Sequence, residues 1–106
     1  MDRQLDGDCP PAQVPDGVLY RDLPIINRKG LHARASAKFV QTVERFNADV
    51  TVTRCGETVG GRSIMGLLTL AAAQGTTITV TARGEDAEAC LAGIAGLLAD
   101  RFGEGE

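Results

Sequence analysis

Gly30-Leu31-His32-Ala33-Arg34-Ala35-Ser36-Ala37-Lys38-Phe39 sets the reading of this chain. It carries the one histidine among 106 residues. Gly30 ends an extended run, and the residues after His32 begin a helical period. Ser36, Phe39, Val40, Val43 and Phe46 share one stripe, while Lys38, Gln41, Glu44 and Arg45 fall outside it. The spacing predicts a helix over roughly 33–46 with His32 at its start. The first amides of a helix lack intrahelical acceptors, and the dipole there favours negative charge. That field, with Arg34 nearby, suits a ring nitrogen that attacks phosphorus. Local physics alone also fits a histidine that merely caps the helix.

Working outward, Leu19, Leu23 and Ile25 lie on one side of an extended segment. Pro24 lacks a backbone donor and places that strand at a sheet edge. After Asn47-Ala48-Asp49, Val50 and Val52 alternate with Thr51 and Thr53, the pattern of a half-buried strand. Cys55-Gly56-Glu57 turns into a short strand near 57–59, and Gly60-Gly61 closes it. Ser63 is placed to cap a short helix over about 64–71 by bonding the amide of residue 65 or 66, worth about 0.5–2 kcal/mol. Thr76–Ala82 alternates again, and Gly84-Glu85-Asp86 opens a last helix. Its stripe is Ala87, Cys90, Leu91, Ile94, Leu98 and Phe102. The order is β-α-β-β-α-β-α, an α+β fold. Helices cover the aliphatic face of an open-faced two-layer sandwich, and the threonine face meets water.

Composition narrows the class. The length suits one domain, and 43% hydrophobic residues with no tryptophan imply an aliphatic core. No apolar run reaches the roughly 18 residues of a membrane span, and no basic-then-apolar start marks a secretion signal, so a cytoplasmic protein without membrane insertion is expected. Residues 1–17 hold Asp2, Asp6, Asp8 and Asp16 against Arg3, contain three of the four prolines and show no apolar period. They read as a disordered tail before a domain over 18–102, with 103–106 as a flexible end. The cysteines are Cys9, Cys55 and Cys90. No Cys-x-x-Cys occurs and one histidine cannot complete a zinc site of the usual spacing, so idle or buried thiols and no metal or cofactor are expected. Arg28, Lys29, Arg34 and Lys38 surround His32 with no acid among them, and Arg62 flanks Ser63. This patch can steer an acidic protein partner. Nucleic acid is disfavoured, because the formal net charge is −3.

The stretch Gly30–Arg34 followed by Ala37–Val40 resembles the phosphorylation-site motif of HPr, the histidine-containing phosphocarrier family of the bacterial phosphoenolpyruvate-dependent phosphotransferase system. Arg62-Ser63-Ile64-Met65-Gly66-Leu67-Leu68-Thr69-Leu70 resembles that family's regulatory serine region, in the same order and spacing. The resemblance covers about residues 18–102. It implies a four-stranded antiparallel sheet with the first and third strands at its edges. It also implies phosphate carried on Nδ1 of His32, with Arg34 as clamp and the helix-start amide of Ala33 as donor. Enzyme I, enzyme IIA domains and an HPr kinase/phosphorylase are the implied partners, and a monomer is expected. Arg28, Lys29, Lys38, Arg62, Ile64, Met65, Leu67 and Leu68 are the expected partner surface. Ala35 stands where many family members have proline. Alanine is a good helix former, so the helix should persist. Two other readings compete: a regulatory binding protein of the same fold acting through phospho-Ser63 in a nitrogen-related branch, and an unrelated small α/β ligand-binding domain.

Overall fold

The computed structural model describes residues 9–104. The elements are β1 (Leu19–Pro24), α1 (Ala33–Val43), β2 (Asp49–Arg54), β3 (Glu57–Gly60), α2 (Ile64–Thr69), β4 (Thr77–Arg83) and α3 (Ala87–Ala99), followed by a 3-10 turn at Arg101–Gly103. The strands form one antiparallel sheet in the order β1-β4-β2-β3, so the first and third strands are the edges. Pro24 sits at the end of edge strand β1, where its missing donor breaks no internal ladder.

Alternation decides which side chains are buried. Val50 and Val52 of β2, and Ile78, Val80 and Ala82 of β4, point under the helices with Leu23 and Ile25. Phe39 and Val43 of α1 and Cys90, Leu91, Ile94 and Leu98 of α3 meet them from above. Phe102 extends the α3 stripe past the helix end and is 1% exposed. Leu19 departs from the expected inward set. It lies at the start of the edge strand and is exposed.

α1 ends three residues sooner than its periodicity suggests. Arg45 and Phe46 bond back to Thr42 and Val43, tightening the chain into turns, and Phe46 packs partly buried at the edge of the core. α2 is likewise shorter, closing at Leu70. The backbone of Arg101 and Phe102 is left-handed (φ 53° and 55°), which turns the chain back after α3.

The outer face differs from the expected watery surface. Cross-strand hydroxyl pairs line it: Thr51 with Thr81, and Thr53 with Thr58 at 2.7 Å. Residues 9–15 run beside this face. Ala12 and Val14 share shallow depressions with Thr53, Thr79 and Thr81, and those threonines are only half-exposed. A disulfide joins Cys9 to Cys55 in the β2–β3 turn. The expectation of idle thiols is therefore corrected for these two cysteines, while Cys90 stays a buried thiol. Residues 9–15 carry no helix or strand and are tethered across the sheet. Residues 1–8 of that tail lie outside the described residues. Among the described residues, no helix is long and apolar enough to cross a membrane.

Candidate functional site

His32 occupies the N-cap of α1, with an extended backbone (φ −78°, ψ −176°). Its carbonyl accepts from the Ser36 amide at 2.8 Å, and its Nδ1 accepts from the Arg34 amide at 3.2 Å. The imidazole thus takes the role usually filled by Ser, Thr, Asp or Asn. A nitrogen that accepts an N–H carries a lone pair, so Nδ1 is the unprotonated atom. Ala33 is the first helical residue, and Arg34 is exposed beside the ring. Ala35 is fully buried within the first turn, and the helix forms without proline there.

Main-chain contacts and two buried side chains hold the loop that presents the ring. Gly30 has φ +68°, and a Cβ there would lie 2.5 Å from the Ala72 carbonyl oxygen. Only glycine allows that approach. The Leu31 amide donates to the same carbonyl at 2.9 Å. Ser36 closes the loop by donating to the Leu31 carbonyl. Asn27, fully buried, donates to the Gly30 carbonyl at 2.8 Å.

Lys29, His32, Arg34, Lys38, Gly103 and Glu104 line one open depression. Lys38 donates from Nζ to the Phe102 carbonyl at 2.6 Å. The expected acid-free surround is corrected here. Glu104 places Oε2 2.5 Å from His32 Nε2, and Asn27 Nδ2 donates to Glu104 Oε1 at 3.1 Å. Burial pushes the Glu104 carboxyl up, but donation from Asn27 and His32 and the charge of Lys29 outweigh it, leaving it below the usual range. Residues 103 and 104 thus pack at the site, and 105–106 lie outside the described residues. Glu104 and Asn27 were not legible in the sequence, since they stand 72 and 5 positions from His32 with no periodic signal.

The second region divides. Ser63 caps α2, its Oγ accepting from the Gly66 amide at 2.9 Å, one of the two expected amides. Its own side chain is exposed. Met65 is 71% exposed and Ile64 is also exposed, while Leu68 is half-buried. Leu67 is corrected: it is fully buried, because the six-residue helix must turn one side chain into the core. Arg62 donates to the carbonyls of Phe46 and Ala48, so its guanidinium braces the α1–β2 connection. Arg28 and Lys29 are exposed on the loop before His32.

A family model described as "PTS HPr component phosphorylation site" matches residues 19–100. The phosphocarrier protein HPr of Cupriavidus necator is 46% identical over 89 residues, covering 84% of this chain and all of that protein. A crystal structure of HPr from Thermoanaerobacter tengcongensis superposes with a TM-score of 0.78 at 35% identity, covering 81% of this chain and 97% of that one. HPr from Bacillus anthracis does so at 0.73 and 38% identity, covering 76% and 96%.

Proposed function

The chain belongs to the HPr family, the phosphoryl-relay component of the phosphotransferase system, and on that footing we propose that His32 is the residue that carries the phosphoryl group, on Nδ1. The observation that supports this assignment is the N-cap geometry. The Nδ1 lone pair points at the first-turn amides, where a bound phosphoryl group would find N–H donors and the positive end of the helix dipole. Arg34 and Lys29 add cationic charge at the mouth of the site. Little else is required of a carrier, because its partners complete the transfer site.

The carrier unit is the segment 18–102 together with residues 103–104 packed at its site, and it takes phosphate from enzyme I and passes it to enzyme IIA domains as a monomer in the cytoplasm. The exposed Ile64 and Met65 with Leu68 form the apolar part of the docking face, and Arg28, Lys29 and Arg34 its basic rim. Ser63 is the candidate for regulatory phosphorylation by an HPr kinase/phosphorylase. Its exposure at the start of α2, next to Met65, supports that reading. A phosphate there would add about two negative charges to the docking face without unwinding the helix.

Incubation with enzyme I and labelled phosphoenolpyruvate tests the assignment. The chain should take an acid-labile, alkali-stable label, as a phosphoramidate does. His32→Ala should take none, and Arg34→Ala should take it more slowly with an unchanged melting temperature. Labelling of His32→Ala equal to the parent would remove His32 from the role.

A further inference from the structure

We propose that Glu104 is a positioning residue for His32: its carboxylate holds the ring proton on Nε2, which keeps Nδ1 as the nucleophile and keeps the ring a good leaving group after phosphorylation. This rests on the reading of His32 as the phosphoryl carrier.

Two contacts on opposite sides of the ring demand the same proton placement. The Arg34 amide donates to Nδ1, so that atom bears a lone pair. A carboxylate oxygen lies 2.5 Å from Nε2, so that atom bears the hydrogen. Both ring nitrogens are thereby assigned. The carboxylate is itself held, because buried Asn27 bridges Glu104 Oε1 and the Gly30 carbonyl, tying the acid to the loop that carries the histidine. Lys38 fastens the neighbouring main chain at Phe102, whose ring is buried in the core. Glu104 meets the ring at Nε2 and leaves the Nδ1 side facing the helix start. The side chains of His32 and Glu104 are 27% and 15% exposed, so water competes weakly for the contact.

The chemistry follows from where the electrons go. The Nδ1 lone pair forms the N–P bond as the bond from phosphorus to the donor's atom breaks, and the donor keeps that electron pair. The ring then carries substituents on both nitrogens and a positive charge, which the Glu104 carboxylate faces. In onward transfer the acceptor's lone pair attacks phosphorus, and the N–P pair returns to Nδ1. With Nε2 still protonated, the departing group is neutral imidazole. Without that proton it would be imidazolate, a far poorer leaving group. No net proton movement is needed in either direction. A carboxylate that orients a histidine in this way is a recurring device in metal sites and hydrolases. The other charged groups facing the ring are Lys29, Arg34 and Lys38, all cationic. They attract the phosphoryl group but cannot accept the Nε2 proton.

The test uses the full chain labelled with 15N at histidine. Long-range proton–nitrogen correlation should show the parent ring predominantly in the Nε2–H form. Glu104→Ala should lower the ratio of that form to the other roughly tenfold. Glu104→Gln retains an acceptor without the charge. It should preserve the tautomer and still lower, relative to the parent, the pH above which onward transfer to an enzyme IIA domain slows. An unchanged tautomer ratio in a folded Glu104→Ala protein would overturn the proposal. So would a shifted tautomer with an unmoved pH profile in both variants. The tautomer measurement needs no phosphate. A parent chain that takes no label would therefore sink the carrier reading, while the tautomer result separately decides the role of Glu104.

Discussion

Reducing the bond between Cys9 and Cys55 should loosen this protein measurably without disabling its histidine. The bridge spans a sequence separation of 46. Chain-entropy reasoning for a loop of that length gives about 4 kcal/mol of stabilisation, acting through the denatured state. Part of it is offset, because residues 9–17 regain freedom when released and hold only half-buried side chains such as Ala12 and Val14. A net loss of about 2–4 kcal/mol is expected. For a domain of this size that lowers the melting temperature by at least about 10 °C. The denaturant slope should rise on reduction, since an open denatured chain exposes more surface than a cross-linked one. The assay is paired melts of oxidised and reduced protein, with Cys55→Ser as the control that should match the reduced parent. Thiol titration sets the state. Oxidised protein should yield one thiol, Cys90, and only on unfolding, because burial raises that thiol above its ordinary range. Reduced protein should keep its rate of phosphate acceptance, as the bridge lies on the outer sheet face and His32 at the start of α1. Melting temperatures that agree within about 2 °C would refute the reasoning.

Leu67→Ala should cost about 2–5 kcal/mol in chemical denaturation, because the side chain is fully buried, whereas Met65→Ala should stay near parental stability and slow docking instead. Ser63→Ala should lose about 0.5–2 kcal/mol by removing the cap on Gly66, and Ser63→Asp should restore it while slowing phosphate acceptance, with the deficit shrinking at high salt. Glu104 has a folded-state carboxyl below its ordinary value, so its stabilisation is fully present above the unfolded carboxylate value of about 4.3 and is lost as pH falls through the lower folded value. Stability curves of the parent and Glu104→Gln against pH should therefore differ near neutrality and converge in acid.

Most of the architecture was legible because each element had a period to read. Val50 and Val52 against Thr51 and Thr53, or Phe39 with Val43, leave one way to face the core. His32 was legible because it is the one histidine and stands between a glycine and a helical stripe. The α2 face was not, since Ile64, Met65, Leu67 and Leu68 surround a helix of six residues, too short for periodicity to choose the inward side chain. The disulfide was not, because three cysteines permit three pairings and spacing selects none. Glu104 was not, because its approach depends on left-handed backbone at Arg101 and Phe102, where neither residue type signals such a turn.

The join between the Leu31 amide and the Ala72 carbonyl, with Gly30 pressed against the same carbonyl, fastens the histidine loop to the segment that follows α2. The span between the apolar patch and the reactive nitrogen is thereby built from peptide groups, and side-chain exchange on the surface leaves it unaltered. On the proposed docking face, a partner that grips Ile64 and Met65 would meet His32 at a preset reach and bearing. Successive partners can be served from the same posture.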